Sequence, residues 1–157
     1  MEEMISGQKK YENYKEQFKR LNRSLANNFN LEALFIEYAI IEDRTESILR
    51  HAGRWDLYMK RRKDRGANLD SKIKYIQKCA DSKVSLLDRY FKDELLDEVL
   101  VWKEERNRLI HALLKQDLAH NEVSGIAVRG NELVKKLRTR SGNYNRAIDK
   151  TRSEAKK

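Results

Sequence analysis

The stretch Val101-Trp102-Lys103-Glu104-Glu105-Arg106-Asn107-Arg108-Leu109-Ile110-His111-Ala112-Leu113-Leu114-Lys115 carries the clearest helical period in the chain. At 100° per residue, Leu95, Val99, Trp102, Leu109, Ile110 and Leu113 fall within about a third of the helix circumference, the width of a stripe that faces a core. Glu104, Arg108, His111 and Lys115 lie on the far side. Asn107 falls between the two faces, one turn before His111, so both polar groups sit at the edge of the apolar seam. The spacing predicts a long helix over about 93–116, with a candidate reaction surface along that edge.

Working outward, the rest of the chain reads the same way. The sequence has 157 residues, no Pro, six Gly and 38% charged residues, and its apolar residues recur mostly at three and four. That is the signature of an all-α chain, and its length suffices for one domain with a real core. We expect a compact helical bundle of four to six helices. It divides into an N-terminal helix within 1–29, a core over 30–120, and a C-terminal helix with a basic tail over 121–157. The single cysteine excludes an internal disulfide, and no run is apolar enough for a signal peptide or a spanning helix, which predicts a cytoplasmic protein without membrane contact.

Tyr11, Tyr14, Phe18, Leu21 and Leu25 form a narrow seam on the first helix, able to pack on the domain or on a second chain. Asn30 then stands where an N-cap is expected. The second helix, about 31–51, has Leu31, Leu34, Phe35, Tyr38, Ile41, Ile48 and Leu49 on one side, with Glu42 in that stripe. A carboxylate aimed into a core needs a partner. The fourth helix has one charged residue in its own stripe, Arg106, and the simplest resolution packs the two helices together with Glu42 on Arg106.

Between them, 54–68 is basic and without a clean period, and reads as a loop with at most a short helical turn. A third helix follows near 70–81, capped by Asp70 or Ser71, with Cys79 at its side as a core or boundary residue. Residues 84–91 read as a connector or short helix. From Asn121 onward a last helix runs with a pause expected at Ser141-Gly142-Asn143, and its final ten residues are expected to fray.

The formal net charge is +9, and two segments concentrate the excess. Residues 54–65 hold six basic and two acidic residues, and 138–157 hold seven and two. Clustered Lys and Arg favour a polyanionic partner, and equally serve as a solvated, solubilising face. No His-Glu-x-x-His pattern, Cys pair or Gly-rich phosphate loop is present, so we expect neither a metal nor a cofactor.

What remains for chemistry is Arg106, Asn107 and His111. The spacing Arg-Asn-x-x-x-His resembles the motif of the HEPN superfamily, all-α proteins many of which are metal-independent endoribonucleases. The likeness covers about 30–120. It implies that His111 is base or acid for the ribose 2′-hydroxyl, that Arg106 supplies positive charge to the phosphate, and that Asn107 orients either group. Glu42 would then fix Arg106 from behind, and Arg108 and Lys115 would be exposed helpers for the substrate phosphate. It also implies an RNA substrate, a homodimer with a composite site, and a protein antitoxin or regulator as a further kind of partner. Arg106 and His111, five apart, diverge by about 140° on a straight helix, a difficulty that a twofold pairing of such helices would relieve. Each residue has a plainer reading: His111 as a boundary histidine, Arg106 as one half of a structural ion pair, Arg108 as a solvated charge. Two other functions therefore stand beside the nuclease: a silent helical module binding RNA or protein through its basic segments, and an adaptor that self-associates on the Tyr11–Leu25 seam.

Overall fold

The computed structural model describes residues 5–157; positions 1–4, the start of the segment assigned to the N-terminal helix, lie outside it. Seven α-helices follow one another: α1 (Gly7–Ala26), α2 (Asn30–His51), α3 (Trp55–Arg62), α4 (Leu69–Asp81), α5 (Leu87–Phe91), α6 (Leu95–Ala112) and α7 (His120–Glu154). The described residues contain no strand, and the fold is all-α. The count exceeds six because 3-10 turns at Lys63–Arg65 and Val84–Leu86 adjoin two short helices, α3 and α5, that periodicity cannot detect. α3 shows why: of Trp55, Leu57, Tyr58 and Met59, only Tyr58 is fully buried, so its eight residues present no stripe.

α2 is the central strut, packed against α1, α4 and above all α7. Surrounded in this way, it is buried over a wider arc than one stripe: Ala33, Ile36 and Ile40 are buried along with Leu34, Ile41, Ile48 and Leu49. A helix enclosed by neighbours needs apolar residues on most of its circumference. The centre of its buried face is therefore rotated away from the expected stripe, leaving Leu31 and Phe35 exposed. Asn30 is not the cap of this helix but its first residue, buried, and Phe29 holds the cap position without a side-chain bond.

α1 spends its seam inside the chain. Leu21 is fully buried, the Tyr14 hydroxyl donates to Asp43 and accepts from Arg44 Nε at 2.8 Å, and Arg138 of α7 lies 4.5 Å over the Phe18 ring. Of the five seam residues only Tyr11 is largely exposed, which removes the surface that an adaptor would use. α4 is capped by Asn68, whose Oδ1 accepts from Ser71 N at 2.9 Å, two residues ahead of the nearer expected cap. α7 runs without the expected pause at 141–143, because Ser141 and Tyr144 are buried against the bundle and carry the helix through Gly142. At 35 residues it spans roughly 50 Å. It stays helical to Glu154, past the point where fraying was expected, although everything beyond Ala147 except Ile148 is exposed.

Candidate active site

α6 ends at Ala112, so Arg106, Asn107 and His111 occupy its last two turns, while Lys115 lies in the turn beyond. Val99, Trp102 and Leu109 are buried as the helical period requires. Ile110 is only half-buried and Leu113 is exposed, so the core-facing stripe closes one turn early. Trp102 anchors the helix by donating its Nε1 proton to Ile126 O of α7 at 3.0 Å.

Arg106 points at α2, as its place in the stripe demands, but its partner there is not Glu42. Its guanidinium carbon lies 4.5 Å from the Tyr38 ring centroid and 5.4 Å from that of Phe35. Cation–π attraction to two aromatic faces replaces the expected carboxylate. Nη1 donates to Asn107 Oδ1 at 3.1 Å, Nε is buried without an acceptor, and no carboxylate among the described residues lies within ion-pair distance. Burial pulls the guanidinium below its usual range, with Tyr38 opposing.

Glu42 is taken by Lys72 of α4. That ammonium lies 3.5 Å from Glu42 Oε1 and donates to Glu42 O at 3.2 Å. Lys72 is the buried member; the Glu42 carboxylate is 38% exposed and sits at the edge of the core rather than within it. The acid that α2 does bury is Glu37, fully inaccessible, with neither oxygen hydrogen-bonded. It lies beneath Gly130 of α7 and beside Trp102, in space that exists because Gly130 has no side chain: a β-carbon there would stand 2.7 Å from Glu37 Cδ and 2.8 Å from Trp102 Cε2. Desolvation pushes the Glu37 carboxyl up to about 9, so it is neutral at physiological pH.

Tyr38 joins the two sides of this region. Burial raises its hydroxyl pKa, Glu42 adds to the rise, and Arg106 and Lys103 counter it. Lys103, one turn before Asn107, is ion-paired with Asp70 in the first turn of α4 and with Glu104 at 3.0 Å. Burial lowers the Lys103 pKa and these two bonds outweigh it, leaving the group above its usual range. The ends of α2, α4 and α6 are thereby tied into one cluster of Phe35, Tyr38, Asp70, Lys72, Lys103 and Arg106. Lys72, Tyr38 and Phe35 were not visible as site residues in the sequence.

His111 is exposed on the last turn of α6, and no hydrogen bond among the described residues joins it to Arg106 or Asn107. Arg106 and His111 thus keep the divergence that their five-residue spacing imposes. Arg108 and Lys115 are exposed as well. Apolar side chains reach the surface beside the motif too: Leu31, Phe35, Leu113 and Leu114 are all exposed, Leu114 almost completely at 99%. No group of three or more His, Cys, Asp or Glu side chains is gathered as a metal site among the described residues, and no helix there is long and apolar enough to cross a membrane.

The arrangement offers an accessible imidazole, a guanidinium whose charge no carboxylate cancels, and an amide oriented by that guanidinium. These are groups able to move a proton and to stabilise an anion. Comparison of the chain with family models, with curated proteins and with solved structures returns no match.

Proposed function

We propose that the chain is a metal-independent endoribonuclease of the HEPN type. The observation that carries this reading is Arg106, held on aromatic faces beside Asn107 without a compensating carboxylate, on the helix end that also presents an accessible His111. A half-desolvated guanidinium stabilises a developing phosphorane more strongly than one in water, and no local acid diverts it. In the reaction, His111 takes the proton from a ribose 2′-hydroxyl. The 2′-oxygen bonds to phosphorus, the bond to the 5′-oxygen breaks, and the leaving oxygen is protonated. The products are a 2′,3′-cyclic phosphate and a 5′-hydroxyl end. Asn107 fixes Arg106, and Arg108 and Lys115 add positive charge nearby.

One chain presents Arg106 and His111 on divergent faces, and the apolar residues flanking them are uncovered. Both features support a homodimer in which His111 of one copy meets the motif of the other, supplying a base and an acid across a twofold axis. The test is incubation of RNA with the protein in EDTA. Cleavage to cyclic-phosphate ends is expected to persist in the chelator and to fall at least about 100-fold in His111→Ala, with the circular dichroism spectrum unchanged. Cleavage that requires Mg²⁺, or that survives the substitution, overturns the reading. A second reading, a module that binds RNA without cutting it, is favoured by the uncancelled positive charge on α3 and predicts strongly salt-dependent binding with no products.

A further inference from the structure

The positive charge of this chain is distributed unevenly once pairing is considered. Some cations elsewhere meet carboxylates, as Arg129 on Glu105, Lys136 on Glu98, Arg140 on Asp93, Lys10 on Asp43 and Arg20 on Glu32, and others, such as Lys15, Arg89 and Lys135, have none within ion-pair distance among the described residues. On α3, its following turn and the outer face of α4 the cations are crowded together and none is paired among the described residues. Arg54, Lys60, Arg61, Arg62, Lys63, Arg65, Lys74 and Lys78 stand with Asp56, Asp64, Asp70 and Asp81 in the same segments, and Asp70 is taken by Lys103. None of the eight lies within ion-pair distance of a carboxylate among the described residues. Such crowding repels itself, a cost that an external anion meeting it would relieve.

The turn is built to hold these charges outward. Lys63 adopts φ 51° and Gly66 φ 65°, and Arg62 Nε donates to Gly66 O at 2.8 Å, closing the loop. A lysine in the left-handed region is strained by roughly 1 kcal/mol or more where glycine would be free, so the sequence places a cation at a backbone position that disfavours it. Beneath, Trp55, Tyr58 and Tyr75 form a chain of rings with centroids 5.4 and 5.7 Å apart, and Arg61 lies over Tyr75 at 5.3 Å. The face also connects with the site. Arg65 precedes Asp70 by five residues, Asp70 holds Lys103, and Lys103 is one helical turn from Asn107.

We propose that α3 and the turn after it hold the backbone phosphates flanking the one at Arg106, so that the substrate is an RNA strand several nucleotides long rather than a small phosphodiester. This rests on the ribonuclease reading, and the experiment separates the two. Binding of an unstructured 20-nucleotide RNA is measured from 50 to 300 mM KCl in a His111→Ala background, where nothing is cut. It is repeated after Lys60→Ser, Lys63→Ser and Arg65→Ser together, and after a control triple in the α5–α7 groove, Arg89→Ser, Lys92→Ser and Lys135→Ser. The α3 triple is expected to weaken binding at least about tenfold at 100 mM salt and to flatten the slope of log K against log salt by about 2, with the control changing it by less than half as much. Cleavage by the His111 parent is followed on the same RNA and on a dinucleotide too short to reach α3. The α3 triple is expected to slow the first about tenfold and spare the second. RNA binding that α3 controls in a protein without cleavage keeps this surface and removes the nuclease. Cleavage of both substrates at parental rates by the α3 triple, an equal loss in the control, or no RNA binding at all overturns the proposal.

Discussion

Glu37 is buried between α2, Trp102 and Gly130 with both oxygens unbonded, and desolvation holds its pKa up at about 9 against an ordinary 4.5. Below about pH 4.5 the folded and unfolded chains both carry the proton and the residue is neutral to stability. Between 4.5 and 9 the unfolded chain releases a proton that the folded chain retains, so stability is lost by about 1.4 kcal/mol for each unit of rising pH. Glu37→Gln keeps the shape and cannot ionise. It is expected to match the parent in urea melts near pH 4 and to exceed it by about 4 kcal/mol at pH 7.5. Equal stabilities at both pH values would show that Glu37 is ionised in the fold. The residue was legible from its neighbours: Ala33, Leu34, Ile40 and Ile41, three and four positions to either side, are all apolar. Around Glu42 the same offsets give Tyr38, Ala39, Thr45 and Glu46, the surroundings of a boundary position. Assigning the buried carboxylate to Glu42 followed from fitting one stripe to a helix that is enclosed by neighbours.

Among the elements, the long helices were legible because each carries a periodic face of three turns or more. The caps were less so, because asparagine serves in several local roles. Asn30 begins α2 inside the helix, whereas Asn68, unremarked in a basic segment, accepts the Ser71 amide and starts α4. Ser71 Oγ in turn donates to the Asn68 backbone carbonyl at 3.0 Å and bonds the Tyr58 hydroxyl at 2.6 Å, linking α4 to α3. Asn68→Ala is expected to cost about 1 kcal/mol in thermal or urea unfolding. Amide exchange is expected to quicken first in the turn 63–68. The location of Arg106 and His111 on one helix end was readable from spacing alone. The aromatic seat of Arg106 was not, since Phe35 and Tyr38 had been assigned to the core-facing stripe of α2.

For the molecule as a whole, four of the ten exposed large apolar residues among the described ones stand beside the motif. Leu31, Phe35, Leu113 and Leu114 flank the motif, while the seam of α1 is already committed to α2 and, through Arg138 on Phe18, to α7. On the proposed composite site, light scattering at micromolar concentration is expected to give twice the 18.7 kDa chain mass, and Leu114→Glu to give the monomer with cleavage lost. A monomer with full activity would exclude a shared site. The two tryptophans divide the same molecule for an observer. Trp102 is sealed in the core with its indole proton on Ile126 O, and Trp55 lies half-open at the start of α3 under the Arg50 guanidinium, 4.6 Å away. Emission from the chain is therefore a sum of a blue, iodide-resistant component and a redder, quenchable one. The first reports on the bundle and the second on the cationic edge, so an anion settling on that edge dims one colour and leaves the other untouched.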